Sequence, residues 1–239
     1  MSRLRSSLRK TCDGSDPHPY RRPYTILRWF FYERGLVIRN LKGWVPYLVL
    51  LTALIGRAEY CAAEEHVPRV TVLIAYYSLS GFTEKMAVEV AQGAKSVAGT
   101  RVVLRRVGEV TAPELFSSDA LIVGSPVYWS NMAGEVKTFF DDWQFKFGIF
   151  PEFKMKNKLG AAFTTGGQNA GGKELTMLTI LAAMLQNQMI VLSGGGAFGA
   201  SATTEQDSPG LNESELGEAR VLGKRVAEVA SIMKRAPAR

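Results

Sequence analysis

The stretch "VTVLIAYYSLSGFT", residues 70–83, joins an apolar, β-branched run to a short loop that contains hydroxyl side chains and one glycine. The run has the near-continuous hydrophobicity of a parallel strand that is buried on both faces. After the loop, apolar residues recur at helical spacing through residues 83–98. The stretch therefore predicts a strand, a loop and a helix, the opening unit of an α/β fold.

The same alternation continues along the chain. Strand-like segments occur at residues 100–107, 119–126, 158–167 and 188–196, and helix-like segments at 132–143, 172–186 and 213–234. Asn212 and Glu215 have the spacing of a capping box at the start of the last helix. Parallel strands need helical crossovers, so the pattern predicts one doubly wound, five-stranded parallel α/β domain with helices on both faces.

The net charge of +7 belongs to a leader that precedes this pattern. Residues 1–63 hold 11 Lys+Arg and 4 Asp+Glu, whereas residues 64–239 hold 18 of each. Residues 44–55 are apolar, too short for a membrane-spanning helix of roughly 20 residues but suited to a signal peptide. We expect a leader at 1–67, with a signal or membrane anchor at 44–56, and a domain at 68–236.

The role of the leader stays open at this point. Cleavage after Ala63 or Ala58 would export the domain, retention would anchor it to a membrane, and an overcalled start would leave only a basic tail. Export to the periplasm or membrane attachment is favoured over a cytoplasmic location.

The domain lacks the residues of several common sites. Cys12, Cys61, His18 and His66, the cysteines and histidines of the chain, all precede residue 68. The sequence therefore excludes a disulfide, a thiol nucleophile, a Ser/His/Asp triad and a histidine metal site within the domain. Its neutral balance also gives no bulk electrostatic reason to bind nucleic acid.

Three loops follow the first, third and fourth strands, at the edge where doubly wound sheets bind ligands. Residues 78–83 place hydroxyls and backbone N–H groups at a helix N-terminus, which favours an anion. The loop lacks the lysine of a Walker loop and the Gly-x-Gly-x-x-Gly of a dinucleotide site. It therefore suits a phosphate monoester, although an ordinary helix start would look similar.

The other two loops suit a flat ligand. Tyr128 and Trp129 are adjacent aromatic residues that could wall a planar heterocycle or simply cover the end of the sheet. Residues 164–172 contain four glycines, which allow close backbone approach to a ligand but also occur in plain flexible loops. Together, the three loops at one edge are more specific than any one of them.

These motifs resemble a known family. The segments "YYSLSGFTEKMAVEVAQGA", "DALIVGSPVYWSNMAGEVKTFFD", "FTTGGQNAGGKE" and "GLNESELGEARVLGKRVA" are similar to those of flavodoxin-like FMN proteins. They are most similar to the Trp-repressor-binding-protein family of NAD(P)H:quinone oxidoreductases, within the NADPH-dependent FMN reductase group. The resemblance covers about Val70 to Met233 and implies a flavodoxin-like sheet of strand order 2-1-3-4-5.

The resemblance also implies a set of cofactor-binding residues. The FMN phosphate would be held by Ser78, Ser80, Gly81, Phe82 and Thr83. The isoalloxazine would be lined by Pro126, Val127, Tyr128, Trp129 and Ser130, with Asn131 close by. The ribityl chain and ring would be covered by Thr165, Gly166, Gly167 and Gln168.

The implied activity is hydride transfer from NADH or NADPH to FMN, followed by reduction of a quinone-like acceptor. No catalytic residue and no metal are predicted, because the cofactor carries the chemistry. A one-electron-carrier flavodoxin and a non-catalytic FMN-binding module remain alternatives. Carriers usually have acidic docking surfaces, so the neutral domain favours the enzyme.

This chain departs from the family pattern at two points. Family members commonly carry a His near the flavin just before strand five, where this chain has Asn187. They also carry an insertion before strand three that helps to build tetramers, whereas "TAPELFSSDALIVG" runs almost directly into that strand. We therefore expect a homo-oligomer, and a dimer rather than a tetramer.

Overall fold

The computed structural model describes residues 70–204 and 210–235. The predicted leader, its apolar segment at 44–56 and the boundary at 67/68 lie outside these residues and stay predictions. Within the described part of the chain, no helix is long and apolar enough to cross a membrane.

The described residues form a mostly parallel sheet. Its strands are β1 (Val70–Tyr76), β2 (Thr100–Arg106), β3 (Ala120–Tyr128), β4 (Asn131–Met132), β5 (Leu159–Gly166), β6 (Ile190–Val191) and β7 (Ala200–Thr203). The parallel strands pair in the order β2-β1-β3-β5-β6, β7 also pairs with β5, and the short β4 is antiparallel to β3. The parallel α/β sheet expected from the sequence is confirmed.

Helices connect the strands and cover both faces. They are α1 (Phe82–Lys95), α2 (Ala112–Ser117), α3 (Gly134–Phe145), α4 (Lys173–Gln186) and α5 (Glu213–Arg235), and Val107–Glu109 forms a 3-10 turn. The predicted capping box at the start of α5 forms: the Asn212 N–H donates to Glu215 and the Glu215 N–H donates back to Asn212, both at 3.0 Å.

The fifth predicted strand differs from the structure. Of residues 188–196 only Ile190 and Val191 pair with β5, and a separate segment, β7, pairs with β5 farther along. The glycines at 194–196 have no side chains that could pack on the sheet. At Gly195, whose φ is +77°, a Cβ would overlap the carbonyl oxygen of Glu218. The chain therefore leaves the sheet at the glycines and returns at Ala200.

The core lies in two layers, one on each face of the sheet. Side chains of successive strand residues point to opposite faces: Val72 and Ile74 pack with α1 and α5, whereas Leu73 and Ala75 pack with α2, α3 and α4. All four side chains have no exposed surface. Burial on both faces explains why the strand sequences are apolar at consecutive positions.

The helices α1 and α5 cross at very short range because each contributes a glycine. A Cβ at Gly93 would overlap the carbonyl oxygen of Arg220, and a Cβ at Gly223 would overlap that of Val90. The contact of these helices therefore depends on two missing side chains.

We expect Gly223→Ala to lower the free energy of unfolding by about 1–3 kcal/mol, because overpacking forces the helices apart. The matched control is Gly217→Ala in the same helix, where the nearest atom to a Cβ would be 3.9 Å away. This control should gain up to about 1 kcal/mol from helix propensity. Urea unfolding of both variants checks the pair, and equal effects would contradict the close crossing.

Candidate functional site

The loop after β1 forms an open set of backbone donors. The N–H of Gly81 donates to the buried Ser78 hydroxyl at 3.1 Å, which fixes the loop. Gly81 occupies the N-cap of α1 with φ +87° and provides no side-chain cap. No atom lies within 4 Å of the position that its Cβ would take. The N-cap of α1 therefore has open space beside it and no side chain that caps the first-turn N–H groups, as an anion site requires.

An arginine side chain supports this loop, although no local pattern in the sequence predicted it. Arg106, at the end of β2, donates to the Ser78 carbonyl at 3.0 Å and to Glu84 at 2.7 Å. The Tyr76 hydroxyl donates to the same carboxylate at 2.9 Å. Since Arg106 pairs with Tyr76 in the register of β1 and β2, strand pairing was the signal that could have located it. The arginine holds the outer side of the loop.

The second loop is a tight hairpin turn between β3 and β4. Tyr128 pairs with Asn131, which leaves Trp129 and Ser130 as a two-residue turn. Their φ angles are 52° and 60°, the left-handed pair that normally selects Asn-Gly. A bulky side chain in this region is strained, and such strain concentrates at functional sites. The Trp129 side chain is fully exposed, so the turn presents an indole ring to a ligand.

The third loop reaches the second through a glycine. Gly172 has φ +92°, and a Cβ there would lie 2.6 Å from the Ser130 Cβ. The Ser130 hydroxyl donates to the Gly171 carbonyl at 3.5 Å. The loop at 166–172 can therefore lie against the Trp129–Ser130 turn only because residue 172 has no side chain.

A buried lysine supports the third loop, although the sequence pattern did not predict a role for it. Lys173 is 6% exposed, and its ammonium donates to the Thr203 hydroxyl at 2.5 Å. That hydroxyl in turn donates to the side-chain oxygen of Asn169 at 3.1 Å. The end of β7 is tied to α5, because the Thr203 N–H donates to Glu215 at 2.7 Å. This chain of bonds fixes the loop from a strand that the sequence pattern did not reveal.

The three loops meet at the carboxyl edge of the sheet. The hydroxyls of Thr83 and Thr165 hydrogen-bond at 2.7 Å and join the first loop to the third. Beside this bond, the second and third loops enclose a cavity of about 400 Å³. Its walls carry no charged side chain and consist of Val127, Trp129, Ser130, Gly166, Gly167, Gln168, Ala170 and Gly171. An anion at α1 could therefore extend into an uncharged, aromatic-walled space.

A larger cavity, of about 680 Å³, lies near Tyr77 between the 3-10 turn and α3. Its wall includes Glu109, Glu135 and Asp142, with Arg106 as the cation. Because Arg106 already pairs with Glu84, the carboxylates dominate and disfavour a phosphate ester. The smaller cavity therefore fits the predicted ligand better.

Most of the predicted site residues lie together at this edge, but Thr83, Pro126 and Asn131 have protein partners there. Thr83 is 2% exposed, so its hydroxyl joins two loops and leaves its backbone N–H for an anion. Pro126 pairs with Thr165 in the β3–β5 register, within the sheet. The side-chain oxygen of Asn131 accepts a hydrogen bond from the Thr179 hydroxyl of α4 at 3.1 Å.

Asn187, expected near the flavin from the family pattern, lies at the end of α4, about 12 Å farther along this helix than Thr179. Its amide donates to the Ala183 carbonyl, and the residue is away from the three loops.

Two tyrosines at this edge stay protonated at neutral pH. The hydrogen bond that Tyr77 donates to Glu135 raises the pKa of its phenol. Burial raises the pKa of Tyr128, and the charge of Glu135 adds to the effect. Tyr128 therefore carries a neutral hydroxyl at this edge of the sheet.

Comparison with known proteins identifies the family. Residues 108–204 match the NADPH-dependent FMN reductase family. The chain is 34% identical over 203 residues to the NAD(P)H dehydrogenase (quinone) 3 of Rhizobium meliloti and spans 93% of that protein, with 68% of this chain aligned. The chain belongs to the NAD(P)H dehydrogenase (quinone) family. The protein of the same name from Geotalea uraniireducens is 32% identical, with 99% of its length and 69% of this chain covered.

Solved structures show the same fold as this NAD(P)H dehydrogenase (quinone) family member. A flavodoxin, WrbA-like protein from Agrobacterium tumefaciens has a TM-score of 0.57 and 24% identity, covering 67% of this chain and 97% of its own. An archaeal flavodoxin has a TM-score of 0.54 and 23% identity, covering 67% of this chain and 99% of its own. The predicted family resemblance and flavodoxin-like fold are confirmed.

The residues of this family member fit FMN. The uncapped first turn of α1 and the open space at Gly81 suit a phosphate. The uncharged cavity suits a flat ring, with Trp129 exposed on a strained turn beside it. Within the described residues, no group of three or more His, Cys, Asp or Glu side chains could hold a metal ion. The individual contacts predicted for Ser78, Ser80, Phe82, Gly167 and Gln168 stay predictions.

We expect Ser78→Ala/Ser80→Ala to weaken FMN binding by roughly 100-fold, since each lost hydrogen bond to a charged group contributes about 1.5–3 kcal/mol; the backbone donors remain. Riboflavin, which lacks the phosphate, should bind the variant and the parent equally. Flavin fluorescence titration measures both affinities. An unchanged FMN affinity, or an equal loss for riboflavin, would show that the hydroxyls do not hold the phosphate.

Proposed function

We propose that this protein is an FMN-dependent NAD(P)H:quinone-type oxidoreductase. One observation supports this function most directly. An uncapped helix N-terminus and an uncharged cavity that Trp129 lines both lie at the same edge of the sheet. The names of its relatives support the reaction type, and the FMN reductase match supports the cofactor. The co-substrate is NADH or NADPH, and the acceptor is quinone-like.

FMN, when bound, would supply the redox chemistry, in which a hydride from NAD(P)H and one proton from solvent together reduce a quinone-like acceptor to its quinol. The phosphate would be held by the N–H groups of Phe82 and Thr83 at the positive end of α1, since the Gly81 N–H already donates to Ser78. Val127 and Trp129 would provide apolar walls for the ring, and residues 166–168 line the same cavity. These groups bind and orient the cofactor and exclude water from one side of it.

No side chain needs to act as an acid or base in this proposal. The histidines and cysteines of the chain lie before residue 68, and Tyr77 and Tyr128, at this edge of the sheet, stay protonated because their pKa values are raised. Tyr128 can donate its phenolic hydrogen to a polar atom at the rim of the site. We assign it a positioning role, because its raised pKa disfavours loss of the proton.

Steady-state oxidation of NADH and NADPH by the full-length, FMN-loaded protein tests this proposal, with benzoquinone as acceptor. The enzyme predicts sustained turnover that depends on added quinone. Bound FMN that neither pyridine nucleotide reduces would indicate a non-catalytic module. FMN that is reduced by a flavodoxin reductase but turns over neither nucleotide would indicate a one-electron carrier.

We also propose that the protein forms a homodimer. The apolar residues Leu175, Leu178, Ala182 and Leu185 form an exposed stripe along α4, a pattern that indicates burial against another surface. Light scattering on Leu178→Glu should show a shift from dimer to monomer. The leader remains a proposed signal or membrane anchor, supported by its sequence alone.

A further inference from the structure

The opposite edge of the sheet carries an apolar and basic surface that the site does not use. This amino edge, where the parallel strands begin, is formed by the loop at 146–158, the start of β3 and the end of α5. Phe145 and Phe150 are 80% and 55% exposed there. Residues 143–158 hold four phenylalanines and four lysines but only one acid. Ile190, Ile232 and Met233 are also exposed at this edge.

Contacts with the rest of the domain hold this surface in place. Lys158 anchors the loop by donating to the carbonyls of Phe116 at 2.9 Å and Ser118 at 2.5 Å. The Lys154 ammonium lies 5.2 Å from the centre of the Phe116 ring. Lys234 pairs with Asp119 at 3.0 Å and brings the end of α5 to the same place. The exposed phenylalanines are therefore presented on a fixed support.

The amino edge is positively charged, although the domain as a whole is neutral. Its six cations outnumber its three acids and give a balance of +3. The acids are already paired, with Lys146 on Asp142, Lys154 on Glu152 and Lys234 on Asp119. The cations are Lys146, Lys154, Lys156, Lys158, Lys234 and Arg235, and the acids are Asp119, Asp142 and Glu152.

The leader joins the domain at this edge of the sheet. Residue 69 leads directly into β1 at its amino end, so the leader is covalently joined to this surface. Residues 1–63 carry a charge of +7. Like charges disfavour edge-to-edge contact with a second copy. An anionic surface attracts the leader and the edge together.

We propose that the amino edge docks on an anionic lipid bilayer. Phe145 and Phe150 enter the headgroup boundary, and the exposed lysines Lys146 and Lys156 place their ammonium groups at lipid phosphates. The combination of apolar anchors with a basic patch is what stable peripheral binding requires. The three-loop site then faces away from the bilayer, at the far end of β5, about 26 Å along an eight-residue strand.

A polarity-sensitive dye on the edge tests this orientation directly. The full chain carries Cys12→Ser/Cys61→Ser, with one labelling site at Glu152→Cys on the edge or Val221→Cys on the flank of α5. Both positions are exposed. On phosphatidylglycerol-containing vesicles we expect a blue-shifted emission from position 152 and none from position 221, and no shift on phosphatidylcholine alone.

Variants of the anchors complete the test. Phe145→Ser/Phe150→Ser should weaken partition to the phosphatidylglycerol vesicles by about 10-fold or more, since burial of one such side chain is worth roughly 1.5–3 kcal/mol. The matched control, Val88→Ser/Val221→Ser, changes two exposed apolar residues outside this edge and should leave partition unchanged. Vesicle binding without a shift at position 152, equal shifts at both positions, or a shift that grows with protein concentration without vesicles would overturn the proposal.

Discussion

Trp129→Ala should weaken FMN binding by roughly 10- to 100-fold, because stacking of one aromatic side chain on a base-like ring contributes about 1–3 kcal/mol. The indole is fully exposed in the structure, on a turn with φ 52° that strains a bulky residue. A residue that is both strained and exposed contributes little to folding. Its role is therefore best explained by a ligand that covers it.

Two further substitutions separate stacking from backbone strain. Trp129→Phe keeps a flat ring and should retain most of the affinity for FMN. Trp129→Gly relieves the left-handed strain and should raise the stability of the apoprotein by about 1 kcal/mol while it weakens FMN binding as alanine does. Calorimetric unfolding and flavin titration measure the two quantities. An alanine variant with parental affinity would contradict the stacking role.

Gly172→Ala should lower both the stability of the protein and its affinity for FMN. The left-handed φ of +92° costs an alanine about 1–2 kcal/mol. The new Cβ would lie 2.6 Å from that of Ser130, and such overpacking costs about 1–3 kcal/mol more. The third loop must then move away from the Trp129–Ser130 turn, which opens the cavity between them.

Gly134→Ala is the control for this variant. No atom lies within 4 Å of its Cβ position, and its φ is not positive. It should leave FMN affinity unchanged and stability within about 1 kcal/mol of the parent. Thermal unfolding without flavin and titration with FMN provide the comparison. If Gly172→Ala kept full affinity for FMN, the third loop would not form a wall of the site.

Much of the fold could be predicted from the sequence because its strands are buried on both faces. The run at 70–77 and the segment at 119–126 are apolar at consecutive positions, and the structure confirms both as neighbouring parallel strands. The three loops could be placed at one edge for the same reason, since parallel strands end together. The start of the last helix was predicted at Glu213 because Asn212 and Glu215 mark it, and its end was predicted to within one residue.

The features of the site that could not be predicted depend on contacts between segments that are distant in the sequence. Arg106 reaches Ser78 only through the pairing of β1 with β2. The burial of Lys173 depends on β7, a strand that glycines separate from β6 along the chain. The Trp129–Ser130 turn has neither of the residues that normally mark such a hairpin. Local patterns cannot reveal such features.

The measurement that tests the central claim most directly is a titration of the full-length protein with FMN, followed by the flavin absorbance spectrum and fluorescence. The three-loop site predicts saturable binding of one FMN per chain, a perturbed ring spectrum from contact with Trp129, and weaker binding of riboflavin. A spectrum that equals that of free FMN throughout the titration would contradict the assignment of this edge as a flavin site.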